Sequence, residues 1–210
     1  MIQPVSFQKP YAMRLSCFNR QQTMTHKTSD QDIKDATLTW LKSIIIEYSI
    51  CPFAKRELNR GSIRFSVNHD TEIEQCLLSL ILECDRLDKE PDIETTLLIY
   101  ADAFAEFDDY LDFLEIAESL LIEQGYEGTY QLASFHPDYC FQGSDPDDAA
   151  NYTNRSPYPM LHLLREASLE QAVAGHPDPE NIPQRNIELT RKLGLSKMQA
   201  LLAACFPADQ

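Results

Sequence analysis

Three short apolar runs, separated by two helical patterns, constrain this chain more than any other feature. Thr95 to Tyr100 reads as a continuous apolar strand, as expected where a sheet is covered on both faces. Ser62 to Val67 and Gly128 to Phe135 read as two more strands. Between the first pair, Asp70 to Asp88 puts Ile73, Cys76, Leu77, Leu80, Ile81, Cys84 and Leu87 on one helical face. Between the second pair, Glu106 to Gln124 turns Phe107, Tyr110, Leu111, Leu114, Ala117 and Leu121 inward, and Asp108, Asp109, Asp112, Glu115 and Glu118 outward. Gly125 stops that helix. The order is β-α-β-α-β, and each crossover is long enough for a right-handed parallel connection. The expectation is an α/β single domain with a small three-stranded parallel sheet. Three strands cannot cover themselves, so additional N- and C-terminal helices must do it.

Those helices are legible. Asp30 or Asp32 can cap a helix reaching about Ser49, with Ile33, Thr37, Trp40, Leu41, Ile44 and Tyr48 on one stripe. Cys51-Pro52-Phe53-Ala54 breaks it, and a short helix from Pro52 to Leu58 follows, ended by Arg60-Gly61. Residues 136–155 form a long loop of the kind that often carries function. Ser156 can cap another helix running to Ala174, with Pro157 and Pro159 in its first turn. Asp178-Pro179 starts a last helix that ends at Gly194. The domain is thus expected over residues 30–194, with residues 195–210 as a C-terminal tail that could add a short helix. Residues 1–29 are expected to be a flexible N-terminal extension. Its first 23 residues carry Lys9, Arg14 and Arg20, no acid and no continuous apolar segment, so they do not read as a secretory signal, and Met24 is an alternative start.

The 210 residues carry a formal charge of −15. That argues against a nucleic-acid partner, which needs clustered Lys and Arg. No apolar run approaches the roughly 18 residues of a membrane span. The six cysteines form no CxxC pair. Cys76 and Cys84 lie on a helix's apolar stripe and read as core filler. The absence of a disulfide framework points to a cytoplasmic location. Nothing in the sequence sets an oligomeric state.

In open parallel α/β sheets, ligands bind beyond the carboxyl ends of the strands. Here those ends carry Asn68 and His69, then Asp102, then His136 and Asp138. His136-Pro137-Asp138 has three readings. It can be a turn, with Asp capping nearby amides. It can be a general acid/base, with the carboxylate orienting the imidazole. With His162 it also has the pattern of a two-His-one-carboxylate metal site, so a metal ion is a candidate cofactor. On the expected helix, His162 and Glu166 are four residues apart and share a face.

Asn151-Tyr152-Thr153-Asn154-Arg155-Ser156 would precede that helix, whose N-terminus favours anions. Arg155 and Arg165 could clamp a carboxylate or phosphate, with Asn151, Asn154 and Tyr158 adding hydrogen bonds. The alternative is a capped helix whose arginines pair with the chain's own acids. Cys51 stands at an expected helix start near Lys55 and Arg56, features that lower a thiol pKa, so a reactive single thiol is a further candidate beside a buried structural cysteine.

Several segments together resemble the family called domain of unknown function 1415, an uncharacterised, largely bacterial group. They are Cys51-Pro-Phe-Ala-Lys55, Thr95-Thr-Leu-Leu-Ile99, Ala133-Ser-Phe-His-Pro-Asp-Tyr139, Asn151-Tyr-Thr-Asn-Arg-Ser-Pro-Tyr-Pro159, Leu161-His-Leu-Leu-Arg-Glu166 and Arg185-Asn-Ile187. Cys140 and Pro183 depart from the family pattern. The resemblance implies that these polar segments define the family, and it brings no activity. The residues lead to an expected enzyme acting on a small anionic molecule at the carboxyl edge. In it His136, Asp138, His162 and Glu166 are the catalytic candidates. The alternative is a non-catalytic module binding a metabolite or protein, or a thiol redox sensor using Cys51.

Overall fold

The computed structural model describes residues 28–206. The expectations for residues 1–27, including the extension and the alternative start, lie outside the described residues. Helix α1 (Asp30–Trp40) begins with a reciprocal cap, in which Ser29 Oγ accepts the Asp32 amide and the Asp32 carboxylate accepts the Ser29 amide. A π-helical segment, Leu41–Ile46, continues it. Widening the helix there lets Leu41, Ile44 and Ile45 all face the core. After Ser49, which holds a left-handed φ of 53°, come α2 (Ala54–Arg60) and β1 (Ile63–Asn68). Then follow α3 (Ile73–Lys89), β2 (Thr95–Tyr100), α4 (Phe107–Glu123) and β3 (Tyr130–Phe135). Each of these lies within three residues of its expected bounds.

β1 and β2 pair in parallel, from Ile63 opposite Thr95 to Asn68 opposite Tyr100. β3 does not join them directly. Residues expected to form one helix from Ser156 to Ala174 instead form β4 (Met160–Arg165) and then α5 (Glu166–Ala174). β4 lies antiparallel between β2 and β3, with His162 opposite both Leu97 and Ala133. The sheet is therefore four-stranded and mixed, in the order β1-β2-β4-β3, and not the expected three-stranded parallel sheet. The physical reason is burial. Leu161 and Leu163 are fully covered on one face, and Met160 on the other. A short apolar run demanding cover on both sides suits a central strand.

Helices α3 and α4 cover one face, where Leu80, Cys84, Tyr100, Phe113 and Leu161 form a core. α1, the π-helical segment, α6 (Ile182–Leu193) and α7 (Leu195–Ala203) cover the other, around Trp40, Ile44, Ile99 and Met160. α7 occupies the stretch expected to be a tail, and its Met198 is completely buried, as is nearly all of Cys205. Tyr110 fixes α4 to the strand ends: its hydroxyl donates to the Met160 carbonyl at 2.7 Å and accepts the Phe135 amide at 3.1 Å. Among the described residues, no helix is long and apolar enough to cross a membrane.

Candidate functional site

Immediately after β3, His136 turns in under α4. Its ring is 0 % exposed and lies 5.1 Å from that of Phe107 and 5.2 Å from that of Tyr110. Nε2–H donates to the Phe104 carbonyl at 2.9 Å, and Nδ1 accepts the Asp138 amide at 3.0 Å. A carbonyl can only accept and an amide only donate, so the tautomer is fixed and both nitrogens are engaged. Burial pulls the imidazole below its ordinary pKa and keeps it neutral. Asp138 is exposed and meets the ring through its main-chain amide, not its carboxylate. His136-Pro137-Asp138 is thus a turn, and the histidine serves as its buried post.

His162 belongs to the opposite face of the sheet. It sits in mid-strand, near Phe135 and Thr95, where Nε2–H donates to Thr95 Oγ at 2.7 Å while that hydroxyl donates to the Leu163 carbonyl. Burial lowers its pKa to about 4. The sheet itself separates the two histidines, so no shared substrate or metal reaches both. Glu166 opens α5 and is not one helical turn from His162. Four residues of extended chain place their Cα atoms roughly 13 Å apart. The expected constellation of His136, Asp138, His162 and Glu166 is therefore not assembled. Among the described residues, no group of three or more ligating side chains could hold a metal ion.

The expected anion clamps are anchored on the main chain. Arg155 donates from Nε to the Tyr139 carbonyl (3.0 Å) and from Nη2 to the Pro146 carbonyl (2.9 Å), with its guanidinium over the Tyr152 ring. Asn151 accepts the Phe141 amide and donates to the Asp145 carbonyl. Asn154 donates to the Ser134 carbonyl, and the Trp40 indole donates to the Arg155 carbonyl. Tyr158 is half-buried, edge-on to Phe206, and its carbonyl accepts from Ser156 Oγ. Arg165 donates to the carbonyls of Leu87 and Ile93 and to the Tyr130 hydroxyl. Arg155 and Asn151 satisfy the polar backbone of a long loop that regular structure leaves unpaired, whereas Asn154 and Arg165 bond carbonyls outside it. Arg155→Met is expected to cost about 2 kcal/mol, because it orphans the Tyr139 carbonyl that a charged donor satisfied and removes one of two donors to the Pro146 carbonyl. Urea unfolding measures the loss, and limited proteolysis should show faster cleavage within residues 140–148.

At the carboxyl edge, His69 lies between two acids: Nδ1 is 2.8 Å from Asp102 and Nε2 is 2.8 Å from Asp30. Hydrogen bonds to Asp30 first, and Asp102 second, raise its pKa. The cluster ties the start of α1 to the ends of β1 and β2. With both nitrogens engaged, it acts as a clamp. The Cys51 thiol is half-buried, and burial pushes it up although the amides of Phe53 and Ala54 act the other way. The lowered thiol pKa expected from the sequence does not occur.

A cavity of about 400 Å³ opens elsewhere, between the turn after the π-helical segment and the chain leading into α6. Ser49, Pro52, His176, Asp178, Asn181 and Arg185 line it. Arg185 donates to the carbonyls of Tyr48 and Ser49 and to the Asn186 amide oxygen. The neighbouring Asn186 donates to the Ile50 carbonyl, so this pair holds the left-handed turn in place. A guanidinium has five N–H donors. Three are used, and two have no partner among the described residues. The site residues here are ones the sequence reading did not select, although Cys51-Pro52 and Arg185-Asn-Ile187 had both been noted. A second His-Pro-Asp string at His176 was also visible. It forms the same turn as the first, with Nδ1 accepting the Asp178 amide at 3.1 Å.

A family model described as "Protein of unknown function (DUF1415)" matches residues 32–200. No curated protein and no solved structure matches the chain.

Proposed function

The chain belongs to the DUF1415 family, a membership that assigns no reaction, and from that premise we propose that it binds a small molecule through a carboxylate or phosphate held at Arg185. The observation that carries this reading is the position of Arg185: unlike the half-buried Arg155 and Arg165, it is exposed on the wall of a cavity. Arg185 is anchored on two consecutive carbonyls, lines an open cavity, and retains two N–H groups. A guanidinium fixed on one edge offers the other for bidentate recognition without further loss of side-chain freedom. By contrast, the enzyme reading centred on His136 has no geometric support, because its nitrogens are engaged and its partners lie elsewhere. The non-catalytic binding module is therefore the function the geometry supports best.

The test is thermal stabilisation by a panel of small carboxylates, inorganic phosphate and phosphate monoesters. At ten times its Kd a ligand adds about 1.4 kcal/mol. In a domain of this size that raises Tm by roughly 3–6 °C. Arg185→Met should remove the shift, and Arg60→Met, an exposed control on α2, should not. If no compound stabilises the protein, or if Arg185→Met responds like the parent, the reading fails. The unliganded stability of each variant is measured first, since Arg185 also holds the turn at Ser49.

A further inference from the structure

Building on the Arg185 reading, we infer that the ligand is a zwitterion of the amino-acid type, with its carboxylate on Arg185 and its ammonium on Asp178. Two opposite charges line one cavity without pairing with each other. Arg185 makes no ion pair with any carboxylate among the described residues, and Asp178 makes none with any cation. Asp178 is nevertheless positioned: both of its oxygens accept from Asn181 Nδ2, at 2.8 and 2.9 Å. A carboxylate has about four acceptor sites, so capacity remains for an ammonium. The cavity thus presents a fixed cation and a fixed anion with a gap between them, and a ligand bearing both charges fills that gap.

Long-range electrostatics point the same way. The chain's net charge of −15 repels a simple anion during its approach. A zwitterion has no net charge and escapes that penalty, while still offering a carboxylate at contact. Apolar walls are present as well, from Pro52 and Ile182. They suit an aliphatic side chain or methylene spacer.

The experiment is isothermal titration of the full chain with matched pairs: leucine against 4-methylpentanoate, β-alanine against propionate, and 4-aminobutyrate against butyrate. The expected result is at least tenfold tighter binding of one amino compound than of its partner lacking the amine. Asp178→Asn should erase that difference and leave the simple acid's affinity unchanged. Arg185→Met should weaken both members of the pair. Asp178 is exposed, and its replacement leaves the Asn181 contact available, so the variant is expected to fold. Equal binding of the pair, or binding of phosphate alone, overturns the zwitterion while preserving anion recognition at Arg185. Absence of binding by every compound overturns both.

Discussion

His136→Ala is expected to destabilise the protein by about 3–4 kcal/mol, the size of other buried ring deletions. The ring is fully buried beside Phe107 and Tyr110, so its removal leaves a cavity that two aromatic neighbours cannot close without moving. It also leaves the Phe104 carbonyl and the Asp138 amide without their partner. Water can reach the exposed turn at Asp138, so these lost bonds are taken as part of that figure and not added to it. Thermal unfolding should fall by about 10 °C, since 1 kcal/mol is roughly 2–4 °C in a domain of this size. A histidine used as an acid or base would behave differently, because its loss would reduce turnover and spare the fold. A change below about 1 kcal/mol in urea unfolding would show that the ring is not the post described here.

The second large effect is a stability maximum near neutral pH, with a different histidine behind each limb. His162 has a folded pKa of about 4, against 6.5 for the free side chain. Between those values the unfolded chain binds the proton and the folded protein does not. Stability is therefore complete above pH 6.5 and is lost as pH falls toward 4, by up to roughly 3 kcal/mol. His136, lowered by its own burial, acts in the same direction. His69 has the opposite sign, because Asp30 and Asp102 raise its pKa. Its contribution is complete below 6.5 and is lost as pH rises through its folded value. Carboxylates held low, such as Asp148 at about 2, titrate below this window. Urea unfolding from pH 4.5 to 8.5 should trace the dome. His162→Asn should flatten the acid limb and His69→Gln the alkaline one. A wild-type profile that is flat from pH 4.5 to 6.5 would contradict the burial assigned to His162.

The sequence carries the frame of this fold plainly. β1, β2, β3, α3 and α4 are legible because their patterns are clean: a continuous apolar run for β2, apolar residues interspersed with polar ones for β1 and β3, and one apolar stripe for each helix. β4 was not legible. Met160-Leu-His-Leu-Leu-Arg165 has leucines compatible with either a strand or a helix, and periodicity cannot decide a run of six. Ser156-Pro157 imitates a helix start, and His162 with Glu166 imitates a helical pair. What settles the matter is two-sided burial, which depends on partners distant in sequence. α7 is legible only as one of two alternatives. Leu195, Met198, Leu201, Leu202 and Cys205 recur at helical spacing, but so short a segment beyond Gly194 reads equally as a short helix or a tail. The site was less legible than the fold. Residue types identify groups capable of chemistry, and His136, Arg155 and Arg165 are such groups. They do not show whether a main-chain carbonyl has already taken the donor. Arg185 is anchored on carbonyls as Arg155 is, and differs in standing exposed on the wall of a cavity.

The placement of β4 also sets a timetable for synthesis. β3's sole strand partner among the described residues is β4, which lies later in the chain. A ribosome that has just delivered Phe135 has made three strands, of which only two can pair. It must add thirty more residues, through Arg165, before the third has a neighbour. At about 5–20 residues per second, that interval is roughly 2–6 s. During it, β2 presents an open, apolar edge of the kind that recruits other chains. The nascent polypeptide is therefore most exposed to aggregation, and most dependent on chaperones, while the loop of residues 136–155 is being made.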